Sequence, residues 1–326
     1  MLENKKILFI GPIFHDYHLL IKDKLKAMGV KVVFHPERNY GIIFKLINNF
    51  FNKRLKNHQK AHYKKITEQI RTQKFDYLFV IRGYMLSEDF LEKFKEINPD
   101  AKLIMYQWDS NKTNPYDHLL DYFDLAYSFD FEDCERFTKV NYLPLFYSDD
   151  IGKLIKDKNN LKYDFFFMGW YFSERYNAVM RFKEFSTKKG LKLKAFLYMP
   201  ISSYIKERFN GTKLDMSVIS LKHMKRNEYL DTLNKTNVMV DASSPNQTGL
   251  AMRIIEALGS GTKILTNNHR IKDDVLIYDE SYISFFDANN PFIEPAFLQS
   301  KATHKIKNLL SLEDWLKSIF IQDGKY

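Results

Sequence analysis

The chain has 326 residues, enough for two domains of ordinary size, and its 45% hydrophobic and 28% charged residues describe a globular protein rather than a disordered or fibrous one. The formal net charge of +10 suggests an anionic partner without saying which. No stretch approaches the roughly 18 uninterrupted apolar residues of a membrane span, and the start "MLENKKILFIGP" reads as a buried strand rather than a secretion signal, so a cytoplasmic location is expected.

From the N-terminus, strand-like and helix-like runs alternate. "KILFIGP" is a buried strand, residues 17–28 a helix, and "KVVFH" a second strand. A basic region follows over 44–71, where Lys45, Lys53, Arg54, Lys56, Lys60, Lys64, Lys65 and Arg71 stand against the single acid Glu68, with Phe44, Leu46, Ile47, Phe50 and Phe51 interleaved. Such a helix suits an anionic membrane surface and equally suits a solvated helix covering one domain. Nucleic acid is not expected, because no helix-turn-helix, RNA-recognition or zinc-finger pattern is present. Next come "YLFVIRG", a helix opened by Ser87 and stopped at Asn98-Pro99, then "KLIMYQW" and "LAYSFD". Cys134, the only cysteine, excludes an internal disulfide and a cysteine-based zinc site, and on "FEDCERF" suits a small helix filler.

The polar stretch "IGKLIKDKNNLK" reads as a linker, after which a second alternation runs through "YDFFFMGWY", a helix over 174–188, "KLKAFLY", "VMVDAS" and "KILTNN". Strands that are apolar throughout, rather than at every second position, belong to parallel sheets covered on both faces. The expected fold class is therefore α/β, two Rossmann-like doubly wound domains over 1–150 and 151–311, facing each other across a cleft. Ligands of such sheets bind beyond the carboxyl ends of the strands. The loops there are "GPIFHDYH", "RGYML" and "QWDSNKTN" in the first half, and "MGWYFSER", "ASSPNQTG" and "TNNHR" in the second.

Two of these loops carry candidate ligand groups. In "FFFMGWYFSERYNAVMRF" a Gly turn at Gly169 leads to a helix start, where Ser173 suits an N-cap and Arg175 an anion. A plain capped helix with a solvated Arg175 fits the same residues. No GxGxxG and no GxxxxGK[ST] occurs, so neither a dinucleotide fingerprint nor a P-loop is available. In "VMVDASSPNQTGLAMRIIEALGSG" the polar residues Asp241, Ser243, Ser244, Asn246, Gln247 and Thr248 crowd a loop ending in Gly249. Glu256, further along the following helix, suits a pair of ribose hydroxyls. Arg253 and Glu256 are three apart and share a helix face, so an ion pair within the helix is the alternative.

The order of the Gly-turn strand, "EYLDTLNKTNVMVDAS" and "TGLAMRIIEALGSGTKILTNN" resembles the nucleotide-sugar-binding domain of GT-B glycosyltransferases, particularly the bacterial polysaccharide and spore-maturation-protein-like members. Many retaining members carry Glu, seven residues, Glu, then Ala and a small-residue turn into a strand. "EALGSGTKILTN" matches the second part, while Thr248 stands where the first glutamate would be, which leaves retaining against inverting chemistry open. The resemblance implies Glu256 on the donor ribose, Thr248 and Gly249 near the sugar or diphosphate, and Gly169, Ser173 and Arg175 at the phosphate end; Ser244, Gln247 and Arg253 of the same loop and helix are read as further donor-binding residues. It implies Lys222 or His223 near the base, and "SLEDWLKSIFIQ" as a terminal helix, 312–326, crossing back to the first domain. It also implies transfer without a metal or other cofactor, and the histidines indeed show no HExxH and no metal spacing.

An inverting enzyme needs a base near the acceptor hydroxyl. "FHDYH" offers Asp16, with His15 beside it, and "QWDSN" offers Asp109. Asp16 equally suits a helix cap and Asp109 an Asx turn. The expected activity is transfer of a sugar from a nucleotide diphosphate sugar to a surface-polysaccharide acceptor, such as capsule or lipopolysaccharide, or to a lipid-linked oligosaccharide. A GT-B nucleotide-sugar epimerase and a two-lobed small-ligand-binding protein are the alternatives.

Overall fold

A computed structural model describes residues 2–157, 159–243, 247–300 and 310–321. Contacts divide the chain into two units, Met1–Pro144 with Leu312–Tyr326, and Leu145–Ser311.

The first unit is built from β1 (Lys6–Gly11), α1 (Tyr17–Ala27), β2 (Lys31–Pro36), α2 (Ile42–Phe50), α3 (Asn52–Ile70), β3 (Tyr77–Ile81), α4 (Glu88–Ile97), β4 (Lys102–Gln107), β5 (Leu125–Ser128), α5 (Phe131–Arg136) and β6 (Val140–Tyr142). Its six strands pair in the order β2-β1-β3-β4-β5-β6, and every pairing is parallel. β1 and β3 are the reason: from Ile7 and from Leu78 onward each residue is buried, which requires cover on both faces. Ser87 caps α4 by accepting from the Phe90 amide at 3.3 Å, and the helix ends before Asn98-Pro99, as the sequence predicts. The basic region is two helices rather than one, broken at Phe51, whose φ of −134° and ψ of 48° are not helical.

The second unit continues with α6 (Asp149–Gly152), β7 (Tyr163–Trp170), α7 (Ser173–Lys188), β8 (Leu193–Tyr198), α8 (Ile201–Phe209), β9 (Ile219–Ser220), α9 (Arg226–Asn234), β10 (Thr236–Asp241), α10 (Met252–Gly259), β11 (Lys263–Thr266), β12 (Ile283–Phe285) and α11 (Pro295–Gln299). Here too the sheet has six parallel strands, ordered β12-β11-β10-β7-β8-β9. Phe165, Phe166 and Phe167 of β7 are fully buried at its centre, each contributing about 1.5–3 kcal/mol through burial. Both sheets are thus doubly wound and Rossmann-like.

The last helix, α12 (Leu312–Phe320), belongs to the first unit. Trp315 packs edge-on against Tyr106 and Phe79, and Phe320 against Phe79 and Tyr77. Its apolar stripe is therefore consumed by the sheet side that carries the odd-numbered residues of β3 and Tyr106 of β4.

Candidate functional site

In the second sheet β7 has β8 on one side and β10 on the other, so the strand order reverses between β7 and β10, the switch point beyond whose carboxyl ends open sheets of this kind take their ligands. Arg175 occupies that position. It rises from the first turn of α7, and its guanidinium donates from Nη1 to the Trp170 carbonyl at 3.0 Å and from Nε to the Ala242 carbonyl at 3.4 Å, joining the ends of the two strands. Gly169 lies against it: a Cβ there would meet Arg175 Cδ and Nη1 at 3.5 Å. Burial pushes the Arg175 guanidinium down to about 10, the positive charge of Arg253 pushes the same way, and Asp241 opposes both.

Asp241 ends β10, wholly buried, with Arg253 Nη2 at 2.5 Å from its Oδ1 and the hydroxyls of Ser243 and Thr266 donating to its Oδ2. Burial alone would raise its carboxyl, but Arg253 and the two hydroxyls outweigh that and hold it below the usual carboxylate range. Arg253 thus pairs directly with Asp241, while Arg175 sits on backbone carbonyls and feels both charges through space. Arginine presents its donors in a planar fork that matches phosphate oxygens.

Several expected details differ. Ser173 does not cap α7: Phe172 takes the N-cap position in extended conformation without a side-chain cap, and Ser173 is the first helical residue. Arg253 does not pair with Glu256; it reaches back to Asp241, and Glu256 pairs with Arg226. α10 starts at Met252, so Gly249 belongs to the loop before the helix, as expected, with Leu250 and Ala251 between them. Thr248 and Gly249 are held by Asn268, whose Nδ2 donates to the Thr248 carbonyl at 2.8 Å and the Gly249 carbonyl at 3.4 Å. Gln247 lies half-buried beside them, and Ser244 lies outside the described residues, as does Asn246.

Glu256 is 2% exposed. Arg226 Nη1 donates to its Oε1 at 2.8 Å and the Tyr229 hydroxyl to its Oε2 at 2.7 Å, while Arg226 also reaches Asp150 at 2.9 Å and the Ser148 hydroxyl at 2.8 Å. The Gly-Ser-Gly that closes α10 has two separate duties. Gly261 takes a left-handed φ of +71° that ends the helix, and Gly259 leaves room for the Tyr147 ring, which a Cβ would overlap. Near the ends of β7, β8 and β9, His223 stacks on Tyr198 at 3.6 Å between ring centroids, with Trp170 edge-on to Tyr198 at 4.9 Å; Lys222 is exposed beside them.

In the first sheet the order reverses between β1 and β3. Arg82, just past β3, adopts a left-handed φ of 65°, which costs a non-glycine residue about 1–2 kcal/mol. Gln107 and Asn114 donate to its carbonyl at 3.0 and 3.1 Å and hold the turn. Its guanidinium pairs with the fully buried Glu37 and, at 3.4 Å, with Asp109. Asp16 and His15 are exposed on the turn into α1; Asp16 sits at the N-cap position but makes no side-chain cap bond, and His15 has a left-handed φ of 35°. Phe14 and Tyr17 both contact Trp108 edge-on, at 6.2 and 6.1 Å, so the loops bearing Asp16 and Asp109 meet.

Sequence reasoning singled out neither Arg82 with Glu37 nor Arg226 with Asp150. For Glu37 and Arg82 the available signal is a charged residue directly after an apolar strand-like run, as in "KVVFHPE" and "YLFVIR". Among the described residues no group of His, Cys, Asp or Glu could hold a metal ion.

No protein-family model matches the chain, and no curated protein matches it in sequence. Solved structures do match in fold. An α,α-trehalose-phosphate synthase (UDP-forming) from Burkholderia xenovorans, in complex with glucose-6-phosphate, superimposes with a TM-score of 0.62 at 12% identity, over 98% of this chain and 99% of that one. The chain has the GT-B fold. A Listeria monocytogenes protein named for UDP-N-acetylglucosamine 2-epimerase activity gives a TM-score of 0.56 at 12% identity over 99% and 98% of the two chains. A glycotransferase of kitacinnamycin gives 0.54 at 10% identity over 98% and 99%. In GT-B terms, the Arg175–Arg253–Asp241 cluster lies at the switch point of the C-terminal Rossmann-like sheet.

Proposed function

We propose that this GT-B protein is a glycosyltransferase that takes a sugar from a nucleotide diphosphate sugar. The observation that carries the reading is the pair Arg175 and Arg253 at the β7/β10 switch point with, among the described residues, one carboxylate beside them, Asp241, which leaves a net positive charge suited to a diphosphate. Fold-level likeness to a UDP-forming synthase and to a protein named for a UDP-sugar epimerase supports a UDP-sugar as the donor. The second unit, Leu145–Ser311, would be the donor domain and the first unit, which includes α12, the acceptor domain, a boundary slightly before the 150/151 division expected from sequence. Gly169, Ser173 and Arg175 would flank the diphosphate, Gln247, Thr248 and Gly249 the sugar, and Glu256 the ribose, with Lys222 and His223 near the base.

In the transfer step a base removes the acceptor hydroxyl proton, the oxygen attacks the anomeric carbon, and the bond to the diphosphate breaks as its charge passes to Arg175 and Arg253. Asp16 is the first candidate base and Asp109, held by Arg82, the second, with His15 beside Asp16. The acceptor proposed is a surface polysaccharide or lipid-linked oligosaccharide, and the protein would work at the inner face of the cell membrane, its basic 44–71 segment toward anionic lipid. No described helix is long and apolar enough to cross a membrane.

The test is a panel of UDP-sugars followed by UDP release and by product analysis. Release of UDP, accelerated by a glycan acceptor, supports transfer. Conversion to an isomeric UDP-sugar would make the protein an epimerase, and failure to bind any nucleotide sugar would overturn both.

A further inference from the structure

α2 is only nine residues long, and its most apolar side faces water. At about 100° per residue, Ile42, Ile43, Leu46 and Phe50 fall within an arc of about 100°. All four are exposed, Ile42 at 76% and Phe50 at 73%, and Phe51 continues the patch past the helix end. Phe44 lies on the opposite side of the helix and is buried, its ring 6.0 Å from His58, 6.4 Å from Tyr84 and beneath the Arg38 guanidinium. One side of α2 is therefore pinned to the domain while the other presents four large apolar side chains.

The adjoining surface is basic. On α3, Lys53, Arg54, Lys56, Lys60, Lys64 and Lys65 are all exposed, and among the described residues none of them makes an ion pair. Lys53, Lys56, Lys60 and Lys64 recur at spacings of three and four and so form a stripe along one side of the helix. Arg54 lies 5.7 Å from the Phe51 ring centroid, so cation and apolar patch are contiguous. An exposed apolar face alone suits many occupants. Bordered by unpaired cations, it suits an anionic lipid leaflet, in which hydrocarbon takes the apolar side chains and headgroup phosphates take the lysines.

We infer that α2 is an interfacial wedge that inserts Ile42, Ile43, Leu46 and Phe50 into an anionic leaflet, while α3 lays its lysines on the headgroups. This rests on the peripheral part of the reading above and sharpens it from a basic surface to an inserted helix; it is independent of sugar transfer. A purely electrostatic contact would be lost at high salt, whereas an inserted wedge retains part of its binding there.

The experiment is co-sedimentation of the full chain with vesicles of phosphatidylglycerol and phosphatidylcholine, and with phosphatidylcholine alone, at low and high salt. Three proteins are compared: wild type, Ile43→Ser/Leu46→Ser/Phe50→Ser, and Lys53→Glu/Lys60→Glu/Lys64→Glu. UDP titration and sedimentation velocity accompany each one. The wild type should bind the anionic vesicles and keep part of that binding at high salt. The apolar variant should lose at least about tenfold at both salt concentrations, and the charge variant should lose about as much at low salt. UDP affinity should be unchanged in both variants, since the substituted residues are exposed and belong to the other unit. Failure of the wild type to bind anionic vesicles would overturn the inference together with the peripheral position. Unaltered vesicle binding by the apolar variant would overturn the wedge alone, and so would a wild-type dimer that the apolar variant breaks. Loss of UDP binding in the wild type would sink the donor reading and leave the wedge standing.

Discussion

Arg253 of α10 reaches back to Asp241 at the end of β10, with Nη2 2.5 Å from Oδ1, instead of pairing with Glu256 on its own helix. That pair ties the helix to the strand beside Arg175 and leaves one positive charge more than the carboxylate balances. Asp241→Asn removes the balancing charge from a buried site and should destabilise the protein by about 3–5 kcal/mol. It also leaves both guanidiniums unbalanced, so UDP should raise the melting temperature of the variant more than that of the wild type. Thermal unfolding with and without UDP measures both effects, and an equal or smaller UDP shift in the variant would count against an anion site here.

Glu256 and Arg226 give a second prediction. Arg226→Ala leaves the nearly buried Glu256 with Tyr229 as its remaining named donor, and because Arg226 is itself partly exposed the cost should be about 2–4 kcal/mol. Glu256→Ala should weaken UDP binding as well as stability. A calorimetric titration in which Glu256→Ala binds UDP as the wild type does would remove its ribose role and leave a structural one.

Gly259 packs so closely on the Tyr147 ring that a methyl group would overlap it. Gly259→Ala should therefore cost about 1–3 kcal/mol, and Tyr147→Ala in the same chain should remove most of the added cost. Chemical unfolding of the two single variants and the double variant tests the coupling. Simple additivity would mean that the ring moves aside.

The pH dependence follows from His35 of β2 and His62 of α3. Burial lowers His35 below the usual imidazole range, and the charge of His62 lowers it further. Burial likewise lowers His62, with His58 and Lys65 acting the same way, against the Pro36 carbonyl 2.8 Å from its Nε2. Both therefore titrate lower in the folded chain than in the unfolded one, where histidine titrates near about 6.5. The unfolded chain then binds more protons, so their contribution is present above about pH 6.5 and is lost as pH falls through the lower folded values. Unfolding midpoints measured from neutral pH downward should fall through that window, and His35→Gln should flatten the fall.

What the sequence made legible was local. Runs such as "KILFIG" in the first half and "FFFMG" in the second required cover on both faces and pointed to two parallel sheets, and Ser87, whose Oγ accepts from the Phe90 amide, marked the start of α4. The candidate site was legible as loops at strand ends, because a Rossmann-like sheet places its ligands there. Its pairings were not. Arg82 meets Glu37 across 45 positions and Arg226 meets Glu256 across 30, and no periodicity within either helix or strand encodes those distances. Glu256 was therefore assigned to a ligand without sight of Arg226, and Gly259 was taken as part of a turn when the Tyr147 ring is what requires it. Ser173 misled for a local reason: Phe172 is already extended and fills the cap position, so the helix begins at the serine.

The central claim is that the β7/β10 switch point binds the diphosphate of a UDP-sugar, and Arg175 tests it most directly because its described partners are the two backbone carbonyls of Trp170 and Ala242 rather than a buried carboxylate. Isothermal titration of UDP into the wild type and into Arg175→Ala, with both shown to be folded, should give saturable binding that weakens about ten- to hundredfold in the variant, the loss of one or two charge-assisted hydrogen bonds. No binding to the wild type, or equal affinity in the variant, would contradict it.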